Sequence, residues 1–112
     1  MRNMKINEYQ KLAMKNLNPA LNREEVLLNG TMGLCGEAGE VIDILKKHLS
    51  QGHELDKDKM AEELGDVAWY LAETAYALGY DLEEILQGNI DKLKRRYPNG
   101  FSVEDSIHRN GG

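Results

Sequence analysis

The chain predicts an all-α fold: a four-helix bundle-like protomer completed by association with further copies. Three observations carry this. Apolar residues recur at helical spacing over long stretches, β-branched alternation is almost absent, and both prolines stand near segment boundaries. A length of 112 residues with 41% apolar content suits one globular domain, assigned to residues 1–102, with a polar tail at 103–112. A helical chain this small hides only a modest fraction of its surface, so association is expected to finish the core.

In the first segment, Asn7 with Gln10 has the spacing of a capping box ahead of Tyr9, Leu12 and Ala13. Asn18-Pro19 closes it, because a residue before proline avoids the helical region. Asn22 with Glu25 repeats the capping pattern for a second helix. Its apolar stripe is Val26, Leu27, Leu34, Ala38, Val41, Ile42, Leu45 and Leu49. This helix is expected to stop near Ser50-Gln51-Gly52, where glycine accepts a left-handed cap and Lys46, Lys47 and His48 suit the negative end of the dipole. Leu55 and Met60 around Asp56 form a staple and N-cap for a third helix with the stripe Met60, Leu64, Val67, Leu71, Ala75 and Leu78, ending at Gly79. Asp81 with Glu84 caps a fourth helix carrying Leu82, Ile85, Leu86, Ile90 and Leu93, until Tyr97-Pro98-Asn99-Gly100 forces a turn.

The charge balance, 19 acidic against 14 basic residues, argues against a surface that coats nucleic acid, which needs a positive field. No apolar run reaches membrane-spanning length, and the single cysteine, Cys35, has no internal partner for a disulfide. Neither nucleic acid nor membrane is therefore expected as a partner, and the expected location is the cytoplasm. Cys35 reads as a small packing residue, since no Cys/His constellation accompanies it.

The acids are more informative than their sum. Glu37 and Glu40 lie three apart, about 60° from each other on one helix face, and Glu63 and Asp66 repeat that spacing on the next helix. Each pair flanks its apolar stripe, so packing the stripes brings both pairs to one edge. Two carboxylates about 4 Å apart repel by roughly 4 kcal/mol at an effective dielectric near 20, so four converging acids call for a cation. Carboxylate-only ligation favours a hard ion, Mg²⁺ or Mn²⁺. On the fourth helix Asn89, Lys92 and Arg96 share a face and offer donors to a polyphosphate. Trp69 and Tyr70 follow the second pair, and either ring could stack a base or fill the core. His48 and His53 lack the Glu-x-x-His arrangement of a di-iron bundle and read as polar surface or site-rim residues.

Glu37-x-x-Glu40, 22 intervening residues, Glu63-x-x-Asp66, Asn89-x-x-Lys92 and "RRYPNGF" together resemble the MazG-like all-α nucleoside triphosphate pyrophosphohydrolases, relatives of the dimeric dUTPases and dCTP pyrophosphatases. The likeness spans roughly residues 30 to 102. It implies a dimer or tetramer and Mg²⁺-dependent hydrolysis between the α- and β-phosphates of a nucleoside triphosphate, giving monophosphate and pyrophosphate. By the same resemblance Glu37, Glu40, Glu63 and Asp66 are metal ligands, and Glu37 or Glu40 stands closest to the attacking water. Asn89 and Lys92 contact phosphate or sugar, with Arg96 and Tyr97 as helpers and Trp69 as a candidate base contact. Many relatives carry another acid directly before the first motif glutamate, where Gly36 stands here. The competing reading is a non-catalytic helical module whose acids form a solvated or partner-binding face.

"GLCGEAGE", residues 33–40, lacks the lysine and preceding strand of a phosphate loop and reads as helix. Gly33 and Gly36 each lie one turn before a motif glutamate. They leave room either for ions and phosphate or for close approach of the third helix.

Overall fold

The computed structural model describes residues 3–101, together with Val103 and Ile107. The rest of the 103–112 tail lies outside the described residues. Among the described residues the named helices are α1 (Ile6–Ala13, followed by a 3-10 turn at Met14–Asn16), α2 (Arg23–Gln51), α3 (Lys57–Leu78) and α4 (Leu82–Arg96). No strand occurs among the described residues. The scaffold is the antiparallel α2–α3 hairpin; α1 packs against α3 and α4, and the start of α4 packs back on α3.

Most helix ends form for local reasons. Asn22 Oδ1 accepts from the Glu25 N–H at 2.9 Å while the Glu25 carboxylate accepts from the Asn22 N–H at 2.9 Å, a reciprocal pair that uses two otherwise orphaned donors. Asp56 caps α3 through the Lys59 N–H at 2.9 Å, and Glu84 accepts from the Asp81 N–H at 3.0 Å at the start of α4. Gly52 (φ 72°) and Gly79 (φ 84°) end α2 and α3 in the left-handed conformation, where a Cβ would cost energy. His48 Nδ1–H donates to the His53 carbonyl at 2.8 Å, folding the α2–α3 connection back on its helix.

The first helix corrects the sequence expectation. Lys5, not Asn7, is its N-cap, and no side chain caps it. Asn7 works 76 residues away: its Oδ1 accepts from the Glu83 N–H at 3.1 Å and its Nδ2 donates to the Glu83 carboxylate at 3.0 Å. Gln10 is buried. Its Nε2 donates to the Ala72 and Tyr80 carbonyls at 3.2 and 3.3 Å, and its Oε1 accepts from the Leu82 N–H at 2.8 Å. One amide thus satisfies the turn between α3 and α4 and locks α1 onto it.

The apolar stripes are only partly covered in the protomer. The contact face of α3 carries Tyr70, Glu73 and Thr74, which lie against Gly30 and Gly33 of α2. Ile42 and Leu49 of α2, and Leu64 and Leu78 of α3, are exposed instead. The buried apolar core is small: Ala13, Val26, Ala72, Ala75, Ala77 and Leu82. No helix among the described residues is long and apolar enough to cross a membrane.

Candidate metal centre

The α2–α3 interface is built in layers along its length. At one level Asn29 Nδ2 of α2 donates to both carboxylate oxygens of Glu73, at 2.9 and 3.1 Å, and Glu73 is wholly buried. One turn along, the Tyr70 ring lies over Gly33, and a Cβ there would overlap three ring carbons. One turn further stand the acids. Glu37 of α2 and Glu63 and Asp66 of α3 each place a carboxylate oxygen within 4.8 Å of the others.

The electrostatics of this cluster are those of crowded carboxylates. Glu63 is only 8% exposed. A hydrogen bond with Glu63, then burial, then the charges of Glu63, Asp66 and Glu40 push the Glu37 carboxyl up to about 7 from an ordinary 4.5. Its proton bridges to Glu63, which is correspondingly held below the usual range, chiefly by that bond and also by Lys59. Lys59 Nζ lies 3.3 Å from Glu63, one turn back on α3, and is itself pushed up by the hydrogen bond to Glu63 and by neighbouring acids. A proton and a lysine thus partly offset the negative charge. Oε2 of Glu37 is nevertheless shielded from solvent and has no hydrogen-bond partner among the described residues.

Three clustered carboxylates, one with an orphaned buried oxygen, form an all-oxygen donor set that fits a hard divalent cation. Glu40 stands one turn beyond Glu37, exposed and outside the three-acid cluster, though its charge is felt there. Asn89, Lys92 and Arg96 lie on α4, and Tyr97 is its C-cap, so none of the four belongs to the acidic cluster itself. Lys92, Arg96 and Tyr97 are half-buried and Asn89 is exposed; Tyr97 packs on Phe101 with ring centroids 5.4 Å apart.

Trp69 has a packing role. Its Nε1–H donates to the Ala13 carbonyl at 3.0 Å and its ring meets Tyr70 edge-on at 5.1 Å, so the indole ties the end of α1 to α3. The glycine question divides in the same way. Gly33 serves the packing of Tyr70, whereas a Cβ at Gly36 would meet nothing within 4 Å.

A model of the MazG nucleotide pyrophosphohydrolase domain matches residues 27–101, a stretch that includes both acidic pairs and the α4 residues. The chain belongs to this family. It is also similar to the Gene 37 protein of Mycobacterium phage L5, with 40% identity over 74 residues, 62% of this chain and 65% of that protein. The chain therefore spans just under two thirds of that relative's length. No solved structure matches it. The MazG family is typically metal-dependent, in keeping with the acidic cluster.

Two residues near the acidic cluster are not singled out by the sequence. Lys59 was signalled only by its four-residue spacing from Glu63. Tyr9 of α1 is half-buried, and burial, then the charge of Asp66, push its phenol up. Tyr9 also lines a groove of about 280 Å³ with Met4, Ile6, Ala68, Leu71 and Leu86.

Proposed function

We propose that this MazG-family chain is a Mg²⁺-dependent nucleoside triphosphate pyrophosphohydrolase, cleaving between the α- and β-phosphates to release monophosphate and pyrophosphate and so clearing surplus or non-standard nucleotides. The observation that carries the reading is the meeting of Glu37, Glu63 and Asp66 within 4.8 Å, with a buried Glu37 oxygen that has no partner. These three acids hold the cation, and Mn²⁺ substitutes for Mg²⁺ in the same oxygen set. When bound, such an ion neutralises phosphoryl oxygens and acidifies its water.

The chain's own groups supply the rest. Glu40, exposed one turn from Glu37, accepts the proton of the attacking water. Asn89, Lys92 and Arg96, with Tyr97, donate to phosphate and sugar oxygens, taking charge that the acids cannot. Apolar walls and the Tyr9 ring, whose phenol feels the charge of Asp66, make the α1/α3/α4 groove a fitting seat for the nucleoside.

The test is direct. Millimolar Mg²⁺ should raise the melting temperature of the wild-type protein and not that of Asp66→Asn. The protein should convert a nucleoside triphosphate to monophosphate and pyrophosphate, and Glu40→Gln should abolish turnover while keeping the helical circular dichroism. Release of orthophosphate, or no thermal shift with either ion, overturns the assignment.

A further inference from the structure

Lys59 stands against the preferences of its own helix. It lies in the first turn of α3, its backbone N–H donating at 2.9 Å to the side chain of Asp56, the N-cap. A cation there faces the positive end of the helix dipole, and a lysine four residues before a glutamate is the weaker order for a pair along a helix. Lys47 and Asp43 on α2 show the ordinary arrangement, with the acid first, both side chains about half exposed and 3.2 Å between them. Lys59 Nζ lies 3.3 Å from Oε1 of Glu63, whose side chain is only 11% exposed, so a half-exposed ammonium is set over a covered carboxylate. Helix energetics does not account for that placement. The acids do, because Glu63 is also the residue that meets Glu37 and Asp66 within 4.8 Å.

We propose, on the cation reading of the acidic group given above, that Lys59 is a built-in cation of this centre: its ammonium neutralises Glu63 where a second divalent ion would otherwise be drawn, so that the three acids of one chain hold a single ion. The charges balance around that arrangement. Glu37, Glu63 and Asp66 bring three negative charges together, a divalent ion offsets two of them, and Lys59 offsets the third. No further ligand comes from α2, since Gly36 precedes Glu37 and Glu40 is exposed outside the group. Two divalent ions beside Lys59 would overcharge three carboxylates. A pair of ions at the separation of about 3.5–4 Å that two-metal centres use would also have to share the carboxylate already held by the ammonium. Lys59 acts here through Glu63 and not on the substrate, which makes it a positioning residue.

Mn²⁺ titration of the full chain, without nucleotide and at low ionic strength, tests this through the electron paramagnetic resonance signal of the free ion. The wild-type protein and Lys59→Arg, which keeps the charge, should each bind one Mn²⁺ per chain. Lys59→Met keeps the apolar stem and removes the charge. It should bind its first ion roughly tenfold tighter, the effect of deleting a unit charge several ångströms from a divalent ion even at the dielectric of water, and should then take up a second. That second ion should appear as spin-coupled broadening of the bound signal, absent from wild type and Lys59→Arg, while helical circular dichroism is the same in all three. Two ions per wild-type chain, or a single ion at wild-type affinity in Lys59→Met, overturns the role of Lys59 and leaves the cation centre standing. No Mn²⁺ bound by any of the three proteins removes the centre itself, and the role of Lys59 with it.

Discussion

Replacing Gly33 and Gly36 separately by alanine isolates what each glycine does, because helix propensity is common to both and packing is not. Each change improves the intrinsic propensity of α2 by about 1 kcal/mol. At Gly36 the new methyl meets nothing within 4 Å, so that gain is expected almost whole. At Gly33 the methyl overlaps the Tyr70 ring, and the ring has little freedom to retreat. It packs edge-on against Trp69, whose indole is held by the Ala13 carbonyl at 3.0 Å. Overpacking a constrained site costs up to about 3 kcal/mol, which outweighs the propensity gain and leaves a net loss of about 1 to 2 kcal/mol. The two variants should therefore move in opposite directions and differ by about 2 to 3 kcal/mol, or on the order of 10 °C in melting temperature for a chain of this size. Urea denaturation and thermal melts followed by circular dichroism read this directly. A Gly33→Ala protein as stable as Gly36→Ala would refute the layered packing of α2 on α3.

The buried pair at the next level makes a second prediction: Asn29→Ala strips Glu73 of both hydrogen bonds and should cost about 1 to 3 kcal/mol in urea denaturation, with Glu73→Gln recovering part of the loss. Gln10→Ala leaves the buried Leu82 N–H without its acceptor and should cost about 2 kcal/mol, with amide exchange accelerated first in α1 and the α3–α4 turn. The Glu37 carboxyl, raised to about 7, favours the folded state most fully below its unfolded value of 4.5, and that contribution disappears as pH climbs through 7. The lowered Glu63 acts in the opposite sense, its contribution standing above its unfolded 4.5 and being lost as pH falls through its lower folded value. In chelator, stability should thus decline from about pH 5 to pH 8; Glu37→Gln should flatten the slope, and Mg²⁺ should offset it by replacing the proton.

The parts of this fold that could be read from the chain alone are those with local causes. Asn22 with Glu25, Asp56, Gly52 and Gly79 act within a few residues of themselves, and the helices they bound lie where their spacing put them. The convergence of Glu37 with Glu63 and Asp66 was legible from two matched intervals, whereas Glu40, the fourth acid of the pattern, lies outside the cluster. Asn7 and Gln10 were misread because their partners lie 62 to 76 residues away, and a capping pattern carries no information about distant backbone. Glu73 carries no signal in the sequence, since only the fold supplies Asn29 to it. The long apolar stripe of α2 was taken as one surface when it contains two, because helical period alone does not say which side of an amphipathic helix meets its own chain. Ile42 and Leu49 belong to the outer one.

The narrowness of the α2–α3 contact has a wider meaning for the acids that sit in it. Gly30, Gly33 and Ala77 bring two helices close together at the end of the hairpin away from Glu63, and a Cβ at Gly30 would stand only 2.6 Å from the Thr74 hydroxyl. The separation of Glu37 from Glu63 and Asp66 is thereby gauged by spacers one and two turns distant. A cation does not have to draw the helices together; it meets a gap already cut to width. Drift at the outer surfaces leaves that width untouched, whereas a single methyl added among the spacers would open it, spreading acids that the altered residue never contacts.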